Sequence, residues 1–323
     1  MRTNVMRLTL CALLSTLSGS AQARQPTMGF KVGWLRTASS PAPESFRQEL
    51  RALGYIEGKN IAIEYRSAED KPARLPALAE ELVRLKVDVI VTSSTSAALA
   101  AKNATRIIPV VLLGVTDPVA AGLIDSLARP GGNITGFTTI AEVLAGKRLE
   151  LLKETAANIS RVAFLWNPTD PASAQQWKES LHPARELGLQ LYSMQVSNAD
   201  KYEVAFKDAM KAHVVALAVP QDALAASRRQ LIARLAAKHR LPAVYPRVDF
   251  VASGGLMSYG ADQDESYKRV AAMVDKILKG TKPADIPVEQ PMKFELVINL
   301  KTAKQIGVTI PQWTLMKADK VIK

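Results

Sequence analysis

The chain has 323 residues, a formal net charge of +12, 48% hydrophobic residues and 22% charged residues, the proportions of a globular protein with two domains or one large one. Its 17 glycines and 18 prolines are too few for a collagen-like or disordered chain. The single cysteine, Cys11, excludes an intrachain disulfide and a Cys-rich zinc site. His182, His213 and His239 include no pair four residues apart and no HExxH, so neither a metal nor a cofactor is expected.

The first 23 residues read as an address. Arg2 and Arg7 precede an apolar run from Leu8 to Leu17, and small residues close it at Ala21-Gln22-Ala23. That order predicts a secretory signal peptide over 1–23 and hence a periplasmic protein. A membrane-spanning helix needs about 20 apolar residues, and this run is shorter. The basic residues of the remaining chain are scattered, without a long run or interleaved aromatics, so nucleic acid is not an expected partner.

After this segment, β-like runs alternate with helical periodicity. Phe30 to Leu35 predicts a strand, and Phe46, Leu50 and Leu53 recur at helical spacing before Gly54. Asn60 to Tyr65 alternates as a second strand does. Leu75, Leu78, Leu82 and Leu85 mark an amphipathic helix. Val87 to Val91 predicts a buried strand, Ser96 to Asn103 an Ala-rich helix, and Val110 to Leu113 another strand. Helices between short strands predict βαβ units and a mostly parallel sheet. The pattern then repeats in the same order: RVAFLWNP from Arg161 echoes KVGWLRTA from Lys31, VVALAVPQD from Val214 echoes VDVIVTSST from Val87, and PAVYPRVD from Pro242 echoes PVVLLGVTD from Pro109. Two similar α/β lobes follow from that repetition. Beyond them come a helix through Tyr267, Val270, Val274 and Ile277 ending at Gly280, a Pro-interrupted stretch from Lys282 to Pro291, a strand from Phe294 to Ile298, and a short helix from Leu300 closed by Gly307.

Parallel sheets bind ligands at the carboxyl ends of their strands. The candidates in the first lobe are therefore Arg36, Thr37 and Ser39; Ser93, Ser94, Thr95 and Ser96; and Thr116 and Asp117. In the second they are Asn167; Gln221 and Asp222; Tyr245 and Asp249; and the pair Ser258 and Tyr259. The hydroxyl cluster at 93–96 opens an Ala-rich helix. It can bind an anion such as a carboxylate, or one hydroxyl can simply cap the helix. Asp117, Asp222 and Asp249 can pair with a ligand ammonium or serve turns and caps. Trp34, Trp166 and Tyr245 can line a pocket or fill a core. No GxSxG elbow and no GxxxxGK[ST] loop occurs, although carboxylates at strand ends leave a secreted α/β enzyme as the alternative.

Five blocks carry a resemblance to a known family: ELRALGYIEGKNIAIEYR from Glu49, RLPALAEELVRLKVDVIV from Arg74, DPVAAGLIDSLARPGGNITG from Asp117, GGLMSYG from Gly254, and KGTKPADIPVEQPMKFELVINLKTAKQIGVTIP from Lys279 to Pro311. With these the chain resembles the ABC-transporter substrate-binding proteins that include tryptophan-binding members. The resemblance implies a type I periplasmic binding fold: two Rossmann-like lobes with parallel sheets, joined by three crossover segments, with the solute held between them. On that reading, lobe one comprises 28–136 and 262–286, and lobe two 137–261 and 287–323. The expected function is solute capture for an ABC importer, without catalysis. The expected partners are a carboxylate-bearing solute, an amino acid of aromatic or branched type, and an inner-membrane permease. The receptor is expected to work as a monomer.

Overall fold

Strands of the first lobe send alternate residues into two separate cores, as a parallel sheet covered on both faces requires. Val32 and Trp34 enter one core and Leu35 the other; Val89 and Val91 oppose Ile90 in the same way. The computed structural model describes residues 29–38, 43–155 and 158–323, apart from the side chain at 142. The expected signal segment 1–23 and Ser39 lie outside the described residues.

In chain order the first lobe contains β1 (Phe30–Arg36), α1 (Glu44–Ala52), β2 (Ile61–Ser67), α2 (Leu75–Arg84), β3 (Val89–Thr92), α3 (Thr95–Ala104), β4 (Val110–Val115) and β5 (Ile134–Thr138). These five strands form one parallel sheet in the order β2-β1-β3-β4-β5. Leu75, Leu78, Ala79 and Leu82 form the buried stripe of α2 that the leucine spacing predicts.

Past β5 the chain crosses to a second lobe. Its elements are α4 (Ala141–Thr155), β6 (Arg161–Trp166), α5 (Pro171–Glu186), β7 (Gln190–Gln195), α6 (Tyr202–Lys211), β8 (Ala216–Ala218), α7 (Ala223–Ser227), α8 (Arg229–Lys238), β9 (Ala243–Tyr245), α9 (Val248–Ala252) and β10 (Met257–Ala261). The chain then returns: Val270, Met273, Val274 and Ile277 of α10 (Gln263–Leu278) complete one core of the first sheet. A third crossing follows Ile286 and Val288, both buried in the first lobe. It leads to β11 (Phe294–Asn299), α11 (Leu300–Ile306), α12 (Gln312–Met316) and β12 (Lys320–Ile322). The second sheet has seven strands in the order β12-β11-β10-β9-β8-β6-β7, all parallel pairings except β10 with β11.

Helix starts follow their local chemistry. Asp170 caps α5, accepting from the N–H groups of Ala172 and Ser173 at 2.9 and 3.1 Å, and Pro171 occupies the position where a missing N–H costs nothing. Asn299 caps α11, which ends at Gly307 with φ +77°. The prolines of the third crossing leave only a 3-10 turn at Pro283–Asp285 before β11. No described helix is long and apolar enough to cross a membrane.

Candidate functional site

The carboxyl ends of the two sheets face one another across a cavity of about 570 Å³, within the range of small-molecule sites. The first lobe contributes Trp34 and Arg36 from the end of β1, Ser93, Ser94 and Thr95 at the start of α3, Thr116 beyond β4, and Tyr267 of α10. The second contributes Leu144 and Arg148 of α4, Asp170, the Gln221–Asp222 turn before α7, and Pro246, Arg247 and Asp249 around α9.

The hydroxyl cluster divides its work. Ser94 Oγ accepts from the Ala97 N–H at 3.2 Å, capping α3, and lies 3.0 Å from Thr37 Oγ1. Capping, one of the two readings open for this cluster, therefore describes Ser94. Helix geometry leaves the N–H groups of residues 95 and 96 without intrahelical acceptors, so the first turn of α3 still offers donors and a positive dipole end beside the cavity. Arg36 stands nearby, its guanidinium held below its ordinary pKa by burial and by Arg247, against the opposing influence of Tyr267 and Asp70. Burial likewise raises the Tyr267 hydroxyl.

Two ionisable groups of the second lobe, Asp222 and Arg148, have no counter-ion within ion-pair distance among the described residues. Asp222 is 8% exposed. Its Oδ1 accepts from the Ala225 N–H at 2.6 Å, while Oδ2 is buried without a hydrogen-bond partner. Burial first, and the neighbouring Asp170 carboxylate second, push Asp222 up to about 7 from 3.8. Asp170 is itself raised by burial, partly offset by its two capped N–H groups. Arg148 is 4% exposed; its Nε donates to the Tyr259 carbonyl at 2.8 Å, and its Nη1 has no partner. Desolvation lowers it to about 10, so it remains a cation at neutral pH. Gly260 makes room for this arrangement, since a Cβ there would stand 2.0 Å from the Pro246 carbonyl oxygen and 3.9 Å from Arg148 Nη2.

Eight of the residues expected from the sequence line the cavity: Arg36, Ser93, Ser94, Thr95, Thr116, Gln221, Asp222 and Asp249. Asp249 is not available to an ammonium, however, because it pairs with Arg247 at 2.6 Å and faces Arg229 at 3.8 Å. Thr37, Ser96 and Asn167 border a separate hollow of about 20 Å³ between the lobes, which Asp70, Asp170 and Asp222 also line.

Four expectations do not lead to the cavity. Asp117 accepts from the N–H groups of Val119 and Ala120 at 3.0 and 2.9 Å, so it holds a turn. Tyr245 is fully buried and stacks on Phe250, with centroids 4.9 Å apart; its strand places the ring in the core. Ser258 is buried within β10 rather than at its end. Tyr259 packs against Phe294 and reaches the site only through its carbonyl. Trp34 is a cavity wall, whereas Trp166 stacks on Trp177 away from it.

Sequence reasoning missed Arg148, Asp170, Arg247 and Tyr267. An Asp-Pro pair just beyond a strand is a signal that could have found Asp170. Arg148 has no such signal, because it sits in the middle of a helix.

The lobes also touch directly, through the Ser227 hydroxyl donating to Asp70 Oδ2 at 3.1 Å. Comparison with known proteins agrees with a drawn-together arrangement. The chain aligns with a structure from Streptococcus pneumonia described as an ABC domain in complex with L-Trp, at 28% identity and TM-score 0.83, covering 91% of this chain and 100% of that one. Against the ligand-free, open structure of a substrate binding protein with adhesive properties from Clostridium difficile, at 26% identity and coverage of 91% and 99%, the TM-score is 0.63. Identity and coverage are nearly equal, so the lobes of this chain stand more nearly as in the complex. More distant periplasmic and solute-binding proteins share the fold, which is the type I periplasmic binding fold.

A tyrosine-binding protein of Clostridioides difficile (strain R20291) is 30% identical over 268 residues, which are 83% of this chain and 76% of that protein. The family model described as ABC transporter substrate binding protein matches residues 40–322. This family and these relatives are binding proteins rather than enzymes, which corrects the alternative of an α/β enzyme working through cleft carboxylates. The chain belongs to the ABC transporter substrate-binding protein family.

Proposed function

We propose that this protein is the receptor of an ABC importer and that it captures a free aromatic amino acid as a zwitterion between its lobes. The observation that carries this reading is the buried, unpartnered Oδ2 of Asp222. Asp222 lines the same cavity as the first turn of α3. A carboxylate in that position is costly to bury alone and gains most from a cation that brings its own hydrogen-bond donors. The ligand's ammonium supplies both, with Asp170 adding negative potential. The ligand's carboxylate takes the N–H groups and hydroxyls of Ser93 and Thr95. Trp34, Tyr267, Leu144 and Pro246 supply apolar contact for a ring. The relatives that bind tyrosine and L-Trp support an aromatic ligand.

On this reading the segment 1–23 directs export and the receptor works in the periplasm as a monomer. The two lobes hinge about the three crossings. Closure on the ligand gives the shape that the inner-membrane permease recognises before it receives the solute. Nucleic acid has no part in this.

Thermal-shift and calorimetric titration with amino acids and organic acids test the proposal. A ligand at 100 times its Kd stabilises the folded state by about 2.7 kcal/mol, so aromatic amino acids are expected to raise Tm clearly. A folded protein indifferent to every amino acid would contradict it.

A further inference from the structure

The contact between the lobes holds more than the Ser227 bond. Asp70 follows β2 on the first lobe and lines the hollow of about 20 Å³ that Asp170 and Asp222 of the second lobe also line. Its backbone fixes it there. Glu69 and Asp70 both occupy the left-handed region, at φ 51° and 60°, where Asp is enriched among residues other than Gly. The Asp70 N–H donates to the Thr37 carbonyl at 2.9 Å, and the Glu69 N–H to Ser67 Oγ at 3.1 Å. The Asp70 side chain is 12% exposed. Its Oδ2 accepts from the Ser227 hydroxyl, whereas Oδ1 is buried with no hydrogen-bond partner among the described residues.

Closing the lobes changes the surroundings of this carboxylate in opposing ways. The second lobe brings it the Ser227 hydroxyl at 3.1 Å and the Arg228 guanidinium at 4.0 Å, a cation that is 47% exposed and screened by water. The same movement brings the carboxyls of Asp170 and Asp222 and takes Oδ1 out of water. Tyr202 stays neutral, because burial first, then Asp222 and Asp70, raise its hydroxyl. Arg36 belongs to the same lobe as Asp70 and accompanies it in either arrangement. Burial, then Asp170 and last Asp70 push Asp222 up to about 7, so the charge of Asp70 is felt at the ammonium site. One neutral hydrogen bond and a half-exposed cation do not offset the desolvation of a carboxylate beside two others.

We infer that Asp70 keeps the empty receptor open, its charge opposing closure until a ligand cation at Asp222 neutralises the far side of the hollow. This rests on the reading of the protein as a receptor that closes about its ligand. Asp70 is a positioning residue, since it is not among the residues lining the larger cavity. Helix α7 links the two places, with Asp222 as its N-cap and Ser227 as its last residue. The ammonium relieves the repulsion at one end of α7, and Ser227 clasps Asp70 at the other. Closure is thereby made to depend on occupancy rather than merely to accompany it.

Small-angle scattering of the empty protein and of Asp70→Asn tests the inference. Asparagine tolerates the left-handed backbone and still accepts from Ser227, so the variant is expected to melt no lower than the parent while losing only the charge. The open-to-closed ratio of the empty protein is expected to fall about 10-fold, and the radius of gyration to contract to that of the drawn-together lobes described above. An unchanged radius overturns the inference. A larger one overturns it too, since Asp70 is then a clasp and nothing more. Should Asp70→Asn not fold, Asp170→Asn decides in its place, because it keeps the α5 cap and removes a facing charge: contraction supports the inference, and no contraction overturns it. The measurement needs no ligand, so in each of these failures the receptor reading stands. Contraction in a protein that binds no amino acid would instead contradict the receptor reading alone.

Discussion

The two walls of the cavity balance their polar groups differently. On the first lobe Ser94 is already spent on capping α3 and on Thr37, and Arg47 at the rim is tied to Tyr65 and to Glu57. On the second lobe the Arg247–Asp249 pair is equally settled, but the ionisable groups of Asp222 and Arg148 are held away from water with no counter-ion among the described residues. Buried charge without a partner destabilises a fold by several kcal/mol, on the order of 3–5 when a pair is broken. The first wall thus offers a ligand the donors at the start of α3, and the second offers it buried charge. Changes at Asp222 are expected to show in affinity and changes at the Ser94 cap in stability.

The largest expected effect is that of Asp222→Asn. Asparagine can still cap α7 through its side-chain oxygen, so the local structure is retained. Loss of a charge-assisted hydrogen bond costs about 1.5–3 kcal/mol, which lowers affinity roughly 10- to 150-fold by calorimetry. The unliganded variant is expected to melt no lower than the parent protein. A fall in Tm with affinity unchanged would make Asp222 a structural residue like Ser94.

Acidity sharpens the contrast next. The Asp222 carboxyl sits near 7 in the folded chain against 3.8 when unfolded. Between those values the folded state binds more protons than the unfolded one. Its stability contribution is therefore full below about pH 4 and lost as pH rises through about 7. Affinity for an ammonium moves the other way, rising up to about 10-fold per pH unit below 7 as the carboxylate ionises. Titrations at several pH values and melting curves of the empty protein check both slopes, and Asp222→Asn is expected to flatten both.

On the first wall, Ser94→Ala removes the cap of α3. The expected loss is about 1 kcal/mol of stability, a fall in Tm of about 2 °C for a protein of this size. The smallest effect belongs to the bond between lobes. Ser227→Ala deletes a hydrogen bond to Asp70 worth about 0.5–1.5 kcal/mol and favours the separated lobes. Small-angle scattering of the empty variant is expected to show a larger radius of gyration than that of the parent.

Much of the architecture was legible because parallel strands covered on both faces are written as unbroken apolar runs. Val89, Ile90 and Val91 are an example, and the repetition of such runs marks two lobes. Asp222 was legible for a related reason: a carboxylate between a strand and a helix falls at the carboxyl edge of the sheet. Tyr245 misled, since a strand end does not tell which way its last ring turns, and Phe250, five residues on, holds it in the core. Arg148 was invisible because α4 is an ordinary charged helix along its sequence. Only the crossing from β5 and the approach of Tyr259 and Gly260 bury that one guanidinium.

A crystal structure of the protein with an aromatic amino acid bound tests the central claim most directly. The account predicts the ligand between the lobes, with its ammonium about 2.7–3.2 Å from Asp222 Oδ2 and its carboxylate at the first turn of α3. An ammonium held elsewhere, with Asp222 Oδ2 still unpartnered beside the bound ligand, would contradict it.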